Sequence, residues 1–242
     1  MIDQYLNEIS HLIAHITKKE KDSMAKAASK LADAIQHDGV IHLFGSGHSH
    51  MLAEELYYRA GGLVPINPIL HEPLMLHEDA VHSSALERRA HYAESFMQTQ
   101  DIRDSDVLFV ISTSGRNTVP IDVALLGQAK GAYVIGVTSI AYANSQHSRH
   151  ASGKKLYHVV DLVIDTHVPK GDALLAHDKV PMRFSPASTV IGAAILNAVV
   201  AQAIAEMAEQ GFEPPIFQSG NLEGADAHNE RLIEKYGSRV PL

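Results

Sequence analysis

The feature that most constrains this chain is a short apolar run that stops at a turn of small polar residues and resumes as a helix, a pattern repeated about five times. Val107-Leu108-Phe109-Val110-Ile111 is the clearest case: it is apolar throughout, as a strand covered on both faces should be. It runs directly into Ser112-Thr113-Ser114-Gly115-Arg116-Asn117-Thr118, and Pro120 then stands in the first turn of a helix with Ile121, Ala124, Leu125 and Ala129 on one face. Val40-Ile41-His42-Leu43-Phe44 runs in the same way into Gly45-Ser46-Gly47-His48-Ser49, with a helix expected from Met51 to Ala60. Tyr133 to Thr138 and Val159 to Ile164 read as further strands, and Leu63 to Leu70, which carries Pro65 and Pro68, reads as an edge strand. A helix is expected around Leu86 to Met97, a loop over Pro169 to Pro186, and a long Ala-rich helix from there to Gln210. Strand and helix in alternation imply an α/β protein: a three-layer α/β/α sandwich around a five-stranded, mostly parallel, doubly wound sheet of flavodoxin-like type. Ligands of such sheets bind beyond the carboxyl ends of the strands, where both glycine-serine turns lie.

No repeat or Pro/Ser-rich linker divides the chain, so residues 1–242 read as one domain: a helical arm over 1–39, a core over 40–210 and a tail over 211–242. In the arm, Ile2, Leu6, Ile9, Leu12, Ile13 and Ile16, then Met24, Ala28, Leu31 and Ile35, recur at helical spacing. With 45% hydrophobic and 20% charged residues the composition is that of an ordinary globular protein. Zero cysteines exclude thiolate catalysis, Cys-zinc sites and disulfides, and suit the reducing cytoplasm, where the protein is expected. A net charge of −8 argues against nucleic acid as a partner. The N-terminus mixes charges among its apolar residues and does not read as a signal peptide. Ala187 to Ala205 is uncharged for 19 residues, but Ser188, Thr189, Gly192, Asn197 and Gln202 interrupt it, so it reads as a helix between protein layers and no membrane partner is expected.

Small hydroxyl residues and glycine at a strand-to-helix turn let amides and hydroxyls converge on an anion, and the helix dipole favours negative charge there. Ser112, Thr113, Ser114 and Gly115 meet that requirement, the competing reading being a helix N-cap. The first turn begins like a dinucleotide fingerprint but has His50 where the third glycine belongs, and no ribose-binding acid follows a strand at the expected place.

Together the two turns resemble those of the sugar isomerase (SIS) domain family of phosphosugar-binding proteins, over roughly Val40 to Gln210. Among its members the chain is most similar to single-domain proteins of the phosphoheptose isomerase type, with some similarity to N-acetylmuramic acid 6-phosphate etherases in the Ser-Gly-Arg turn. The resemblance implies that Ser112, Thr113, Ser114, Gly115 and Asn117 or Thr118 hold a sugar phosphate, with Ser46, Gly47 and Ser49 as the partner loop. It implies a cytoplasmic homodimer or homotetramer whose Ala-rich helix and N-terminal arm form the contacts. Aldose–ketose isomerisation needs a base beside the carbonyl. Glu55, with Glu54, resembles an acidic pair of phosphoheptose isomerases; Glu87 and Glu78 are rival bases, and Glu223 and His228 in the tail are candidates by resemblance. His48, His50, His71, His77 and His82 show no ligand spacing, so a divalent metal is open but no cofactor is expected. A sugar-phosphate isomerase is the expected activity, an etherase-like lyase that cleaves an ether bond in the phosphosugar is the alternative reaction, and a sugar-phosphate sensor without catalysis and a nicotinamide-dependent oxidoreductase are the alternatives from other classes.

Overall fold

The computed structural model describes all residues, 1–242. Its main sheet has five strands in the order β2-β1-β3-β4-β5, all parallel: β1 (Ile41–Gly45), β2 (Ile66–Pro68), β3 (Val107–Ile111), β4 (Tyr133–Thr138) and β5 (Leu162–Asp165). The helices are α1 (Ile2–Lys19), α2 (Lys21–Gln36), α3 (Met51–Leu56), α4 (Leu76–Leu86), α5 (Glu94–Met97), α6 (Thr118–Ala129), α7 (Ile140–Asn144), α8 (Ser188–Glu209) and α9 (Ala225–Tyr236).

The period-two geometry of a strand sorts its side chains into two cores. Leu43, Phe109, Ile111, Ile135 and Val137 enter one with α1, α2 and α8, while Phe44, Leu108, Val110 and Val134 enter the other with α5 and α6. β1 and β3 are buried at every residue, β3 as its continuous apolar sequence requires and β1 with its one polar side chain, His42, held between Asp106 and Asn67. The order of the sheet reverses at β1 and β3, so the loops after these strands open side by side at a topological switch point. α8 is long and apolar enough by composition to cross a membrane, yet Ile191, Ile195, Leu196, Val199, Ala203 and Met207 are buried in the first core.

Several elements differ from the sequence reading. The edge strand is confined to Ile66–Pro68, and the helix after β1 ends at Leu56 rather than Ala60. The last parallel strand lies at Leu162–Asp165, later than expected. The helix expected over Leu86 to Met97 is divided: α4 ends at Leu86, the next carbonyl accepts from Val119 N–H of α6 (3.1 Å), and His91 adopts φ +60° before α5 begins. The arm is two helices meeting at Glu20, whose carboxylate accepts from Asp165 N–H (3.2 Å) and faces His167 Nε2 (2.9 Å) at the end of β5. The loop before α8 contains an antiparallel hairpin, β6 (Leu175–His177) and β7 (Val180–Phe184). Pro181 sits in β7 without cost because that strand has only one neighbour. The tail contains α9, and Arg239 beyond it carries two hydrogen bonds to Asp106 (3.0 and 2.7 Å) at the start of β3.

Candidate functional site

The crevice is built first by glycine. A Cβ at Gly45 would lie 2.4 Å from the Ser49 carbonyl, so only glycine lets the chain turn this tightly out of β1. Gly115 adopts φ +55°, and a Cβ there would meet Thr138 Oγ1 at 2.6 Å. Between β3 and α6 the N–H groups of Thr113, Ser114, Arg116, Asn117 and Thr118 donate to no carbonyl of the chain, and the hydroxyls of Ser112, Thr113 and Ser114 are likewise unengaged. Convergent donors of this kind at a helix N-terminus form a cradle for an anion.

Glu87 joins the two loops. Its Oε1 accepts from Ser46 Oγ and its Oε2 from Asn117 Nδ2, each at 2.7 Å, so one carboxylate is clasped by a donor from either side of the switch point. Asn117 occupies the N-cap position of α6, yet its side chain makes no cap hydrogen bond. It spans from Glu87 to Arg149, accepting from a guanidinium nitrogen on Oδ1 at 2.7 Å. The Thr118 hydroxyl faces the carbonyls of Arg88 and Arg149, both at 3.2 Å, which makes it a clamp between segments.

A strap over residues 145–155 lies against this loop. Arg149 N–H donates to Arg116 O (2.8 Å), Leu156 N–H to Gly115 O (2.9 Å), and Arg116 Nε to His147 O (2.9 Å). His150 fastens the strap to α6, with Nε2 2.9 Å from Asp122 Oδ1. Burial depresses the pKa of Arg149, and repulsion from Arg116 and Arg88 lowers it further against the pull of Glu87. The sequence reading missed Arg149 and Arg88; the signal is the unusual grouping of cations beside the loop, which becomes visible only when the strap folds back.

The other candidates lie elsewhere. The Glu55 carboxylate pairs with Arg59 and accepts from Asn197 Nδ2 of α8 (3.1 Å), and no hydrogen bond joins it to the two loops. His228 on α9 has Nε2 at 2.8 Å from Ile216 O and belongs to a groove shared with Phe212, Arg231 and Lys235. Within one chain neither reaches Glu87. Gly47 adopts φ +56° and starts a short 3-10 turn, Gly47–His50, in which Ser49 N–H donates to Ser46 O (3.1 Å). Glu78 and Glu223 are exposed. His50 bonds the Gly47 carbonyl and lies 3.7 Å from Glu54, and His71 stacks on Phe96 with ring centroids 4.5 Å apart, burial lowering its pKa against the pull of Glu72. No group of three or more His, Asp or Glu side chains is arranged to hold a metal ion.

The sequence profile of the SIS domain matches residues 4–139, more than half of the chain and both turns of the crevice. The chain belongs to the SIS domain family. Relatives of this SIS protein include a UPF0309 protein of Geobacillus thermodenitrificans, 60% identical over 242 residues and covering 100% of this chain and 97% of the relative. A UPF0309 protein of Halalkalibacterium halodurans is 59% identical over 242 residues, with coverage of 100% and 97%. Among solved structures, the phosphoheptose isomerase of Francisella tularensis superposes with a TM-score of 0.55 at 15% identity, over 84% of this chain and 95% of that one. The Vibrio vulnificus NanR protein complexed with ManNAc-6P superposes with a TM-score of 0.51 at 16% identity, over 96% of this chain and 69% of that one. At such identities the likeness is one of fold, and the SIS fold agrees with the strand order and with the crevice at β1 and β3.

Proposed function

We propose that this SIS domain binds a phosphorylated sugar in the β1/β3 crevice and interconverts its aldose and ketose forms, with Glu87 as the base. The observation that carries the reading is the Glu87 carboxylate, held by Ser46 and Asn117 beside a row of hydroxyls and amides with no partner in the chain. In this reading Ser112, Thr113 and Ser114, with the N–H groups of Thr113 and Ser114, take the phosphate oxygens. Ser49 and Gly47 form the facing wall. Glu87 then removes the proton from the carbon next to the carbonyl, leaving an enediolate; the hydroxyl proton on that carbon passes to the former carbonyl oxygen, and Glu87 returns its own proton to the former carbonyl carbon. Holding each carboxylate oxygen by one donor fixes the orientation of the base before substrate arrives. Support comes from the SIS family membership and from the NanR complex, in which a related fold accompanies a sugar phosphate. α1 and α8, which pack on each other, leave Ile2, Leu6, Ile13 and Val190 exposed, which supports a homodimer or homotetramer.

Thermal denaturation with sugar phosphates, matched unphosphorylated sugars and NAD(P)H tests the ligand class, because a ligand of the folded state raises its apparent stability. Stabilisation by phosphosugars alone is expected; stabilisation by dinucleotides alone overturns the reading. Glu87→Gln should retain phosphosugar affinity and lower kcat about 10²- to 10⁴-fold. Binding by the wild type without any turnover would instead make the protein a sensor.

A further inference from the structure

Six of the nine arginines form no ion pair with a carboxylate, and three of the six cluster beside the crevice. Arg59, Arg103 and Arg239 pair with carboxylates. Arg88, Arg116 and Arg149 pair with none, although the chain as a whole carries a net charge of −8. They arrive on three separate segments: Arg88 after α4, Arg116 between β3 and α6, and Arg149 on the strap. The Thr118 hydroxyl, 3.2 Å from the carbonyls of both Arg88 and Arg149, and the 2.8 Å bond from Arg149 N–H to Arg116 O bring the three backbones together.

Their side chains have different partners. Arg116 faces His147 O and Gln146 Oε1 at 2.9 and 3.3 Å and so holds the strap down. The Arg149 guanidinium rests on Asn117 Oδ1 at 2.7 Å, and the same amide donates to Glu87 Oε2 at 2.7 Å. One side-chain amide therefore separates this guanidinium from the carboxylate of the proposed base. Its single side-chain hydrogen bond leaves most of its fork of donors unengaged. In the reading above the phosphate does not require these donors, since the hydroxyls of Ser112, Thr113 and Ser114 and the amides of Thr113 and Ser114, none of them bonded within the chain, serve it. The strap that carries Arg149 is anchored independently through His150 and Asp122, which is what a preorganised binding group needs.

We propose that Arg149, with Arg116 and Arg88 behind it, forms a second anion subsite on the Glu87 side of the phosphate cradle, and that the substrate is a phosphosugar with a second acidic group. That group, a carboxylate or a second phosphate, is carried on a hydroxyl oxygen beyond the two carbons that exchange the carbonyl, so that C1 and C2 stay free for Glu87 while a planar guanidinium fork recognises the acid. The inference rests on the phosphosugar reading above. It also accounts for three cations clustered without a direct ion pair, the Glu87 carboxylate being held one amide away, in an acidic protein: the local field draws in a polyanion that the net charge would repel.

Calorimetric titration at low salt tests it, using several hexose 6-phosphates, the matching 3-O-carboxymethyl hexose 6-phosphates and hexose 3,6-bisphosphates. Wild type should bind an acid phosphate or a bisphosphate at least about tenfold more tightly than the neutral-sugar monophosphates, the range expected of a charge-assisted hydrogen bond. Arg149→Gln should erase that preference, Arg149→Lys should restore part of it, and Ser114→Ala should weaken all three classes in parallel. Equal wild-type affinity for the classes overturns the second subsite, as does an Arg149→Gln variant that weakens all classes alike, which would place the guanidinium on the first phosphate. Absence of binding by every phosphosugar, with circular dichroism showing folded protein, defeats the phosphosugar reading itself and is thereby distinguished from failure of the subsite alone.

Discussion

Gly115 sets the turn of the hydroxyl-rich loop. Its φ of +55° lies where an L side chain is strained, and Thr138 Oγ1 stands 2.6 Å from where a Cβ would go. Gly115→Ala should therefore cost about 1–2 kcal/mol in urea denaturation from backbone strain alone, and should lose phosphosugar binding because the Thr113 and Ser114 amides are turned out of line. Full affinity in a folded variant would show that the cradle does not depend on this backbone. The hydroxyl loop was legible in the sequence because its residues are contiguous, and three hydroxyls before a glycine are more than a cap demands. Asn117 was ambiguous between cap and ligand, and the structure shows its side chain crossing to Glu87 and Arg149. Among Glu54, Glu55, Glu78 and Glu87, the sequence offered no way to choose. Only the folded chain brings Glu87 against Ser46, which lies 41 residues away.

At the scale of elements, α8 unites length with burial. Ile195, 1% exposed in the core shared with α1, α2 and the sheet, should on replacement by Ala destabilise the protein by about 2–5 kcal/mol through lost burial and a residual cavity. Phosphosugar affinity of the folded variant should not change, since Ile195 touches neither loop; a stability change under 1 kcal/mol in chemical denaturation would show that the helix is not a core element. α9 and the β6–β7 hairpin were not foreseen. Ala225, Leu232, Ile233 and Tyr236 do carry helical spacing, but the polar residues from Gln218 onward masked it. The hairpin has Asp178-Lys179 at its turn and Pro181 in its second strand, so it lacks the usual glycine signal and carries a residue that argues against a strand.

At the scale of the whole molecule, Asp106 ties the C-terminal tail to the sheet through Arg239. Burial alone would raise its pKa, but hydrogen bonds from His42 and Arg239 and from the N–H groups of Val40 and Arg103 outweigh it and hold the carboxyl far below the usual range. A carboxyl depressed in the folded state gives stability that is present above its unfolded pKa, about 3.9, and lost as pH falls towards the folded value. Asp106→Asn should cost about 3–5 kcal/mol near neutral pH, because Arg239 and His42 lose their partner. The difference in Tm from wild type should shrink as pH drops from about 6 to about 3; a difference independent of pH would show that the contribution is packing and not charge.

The sequence by itself determined the α/β class, the position of the central strand and the hydroxyl-rich turn that follows it, since each of these depends on neighbouring residues: apolar runs, period and turn chemistry are local. The tertiary structure alone decided the strand order β2-β1-β3-β4-β5, the clasp on Glu87, the strap that delivers Arg149 and the anchoring of the tail through Arg239. Those contacts join residues far apart along the chain, and no local pattern encodes a partner that only packing brings within hydrogen-bond distance.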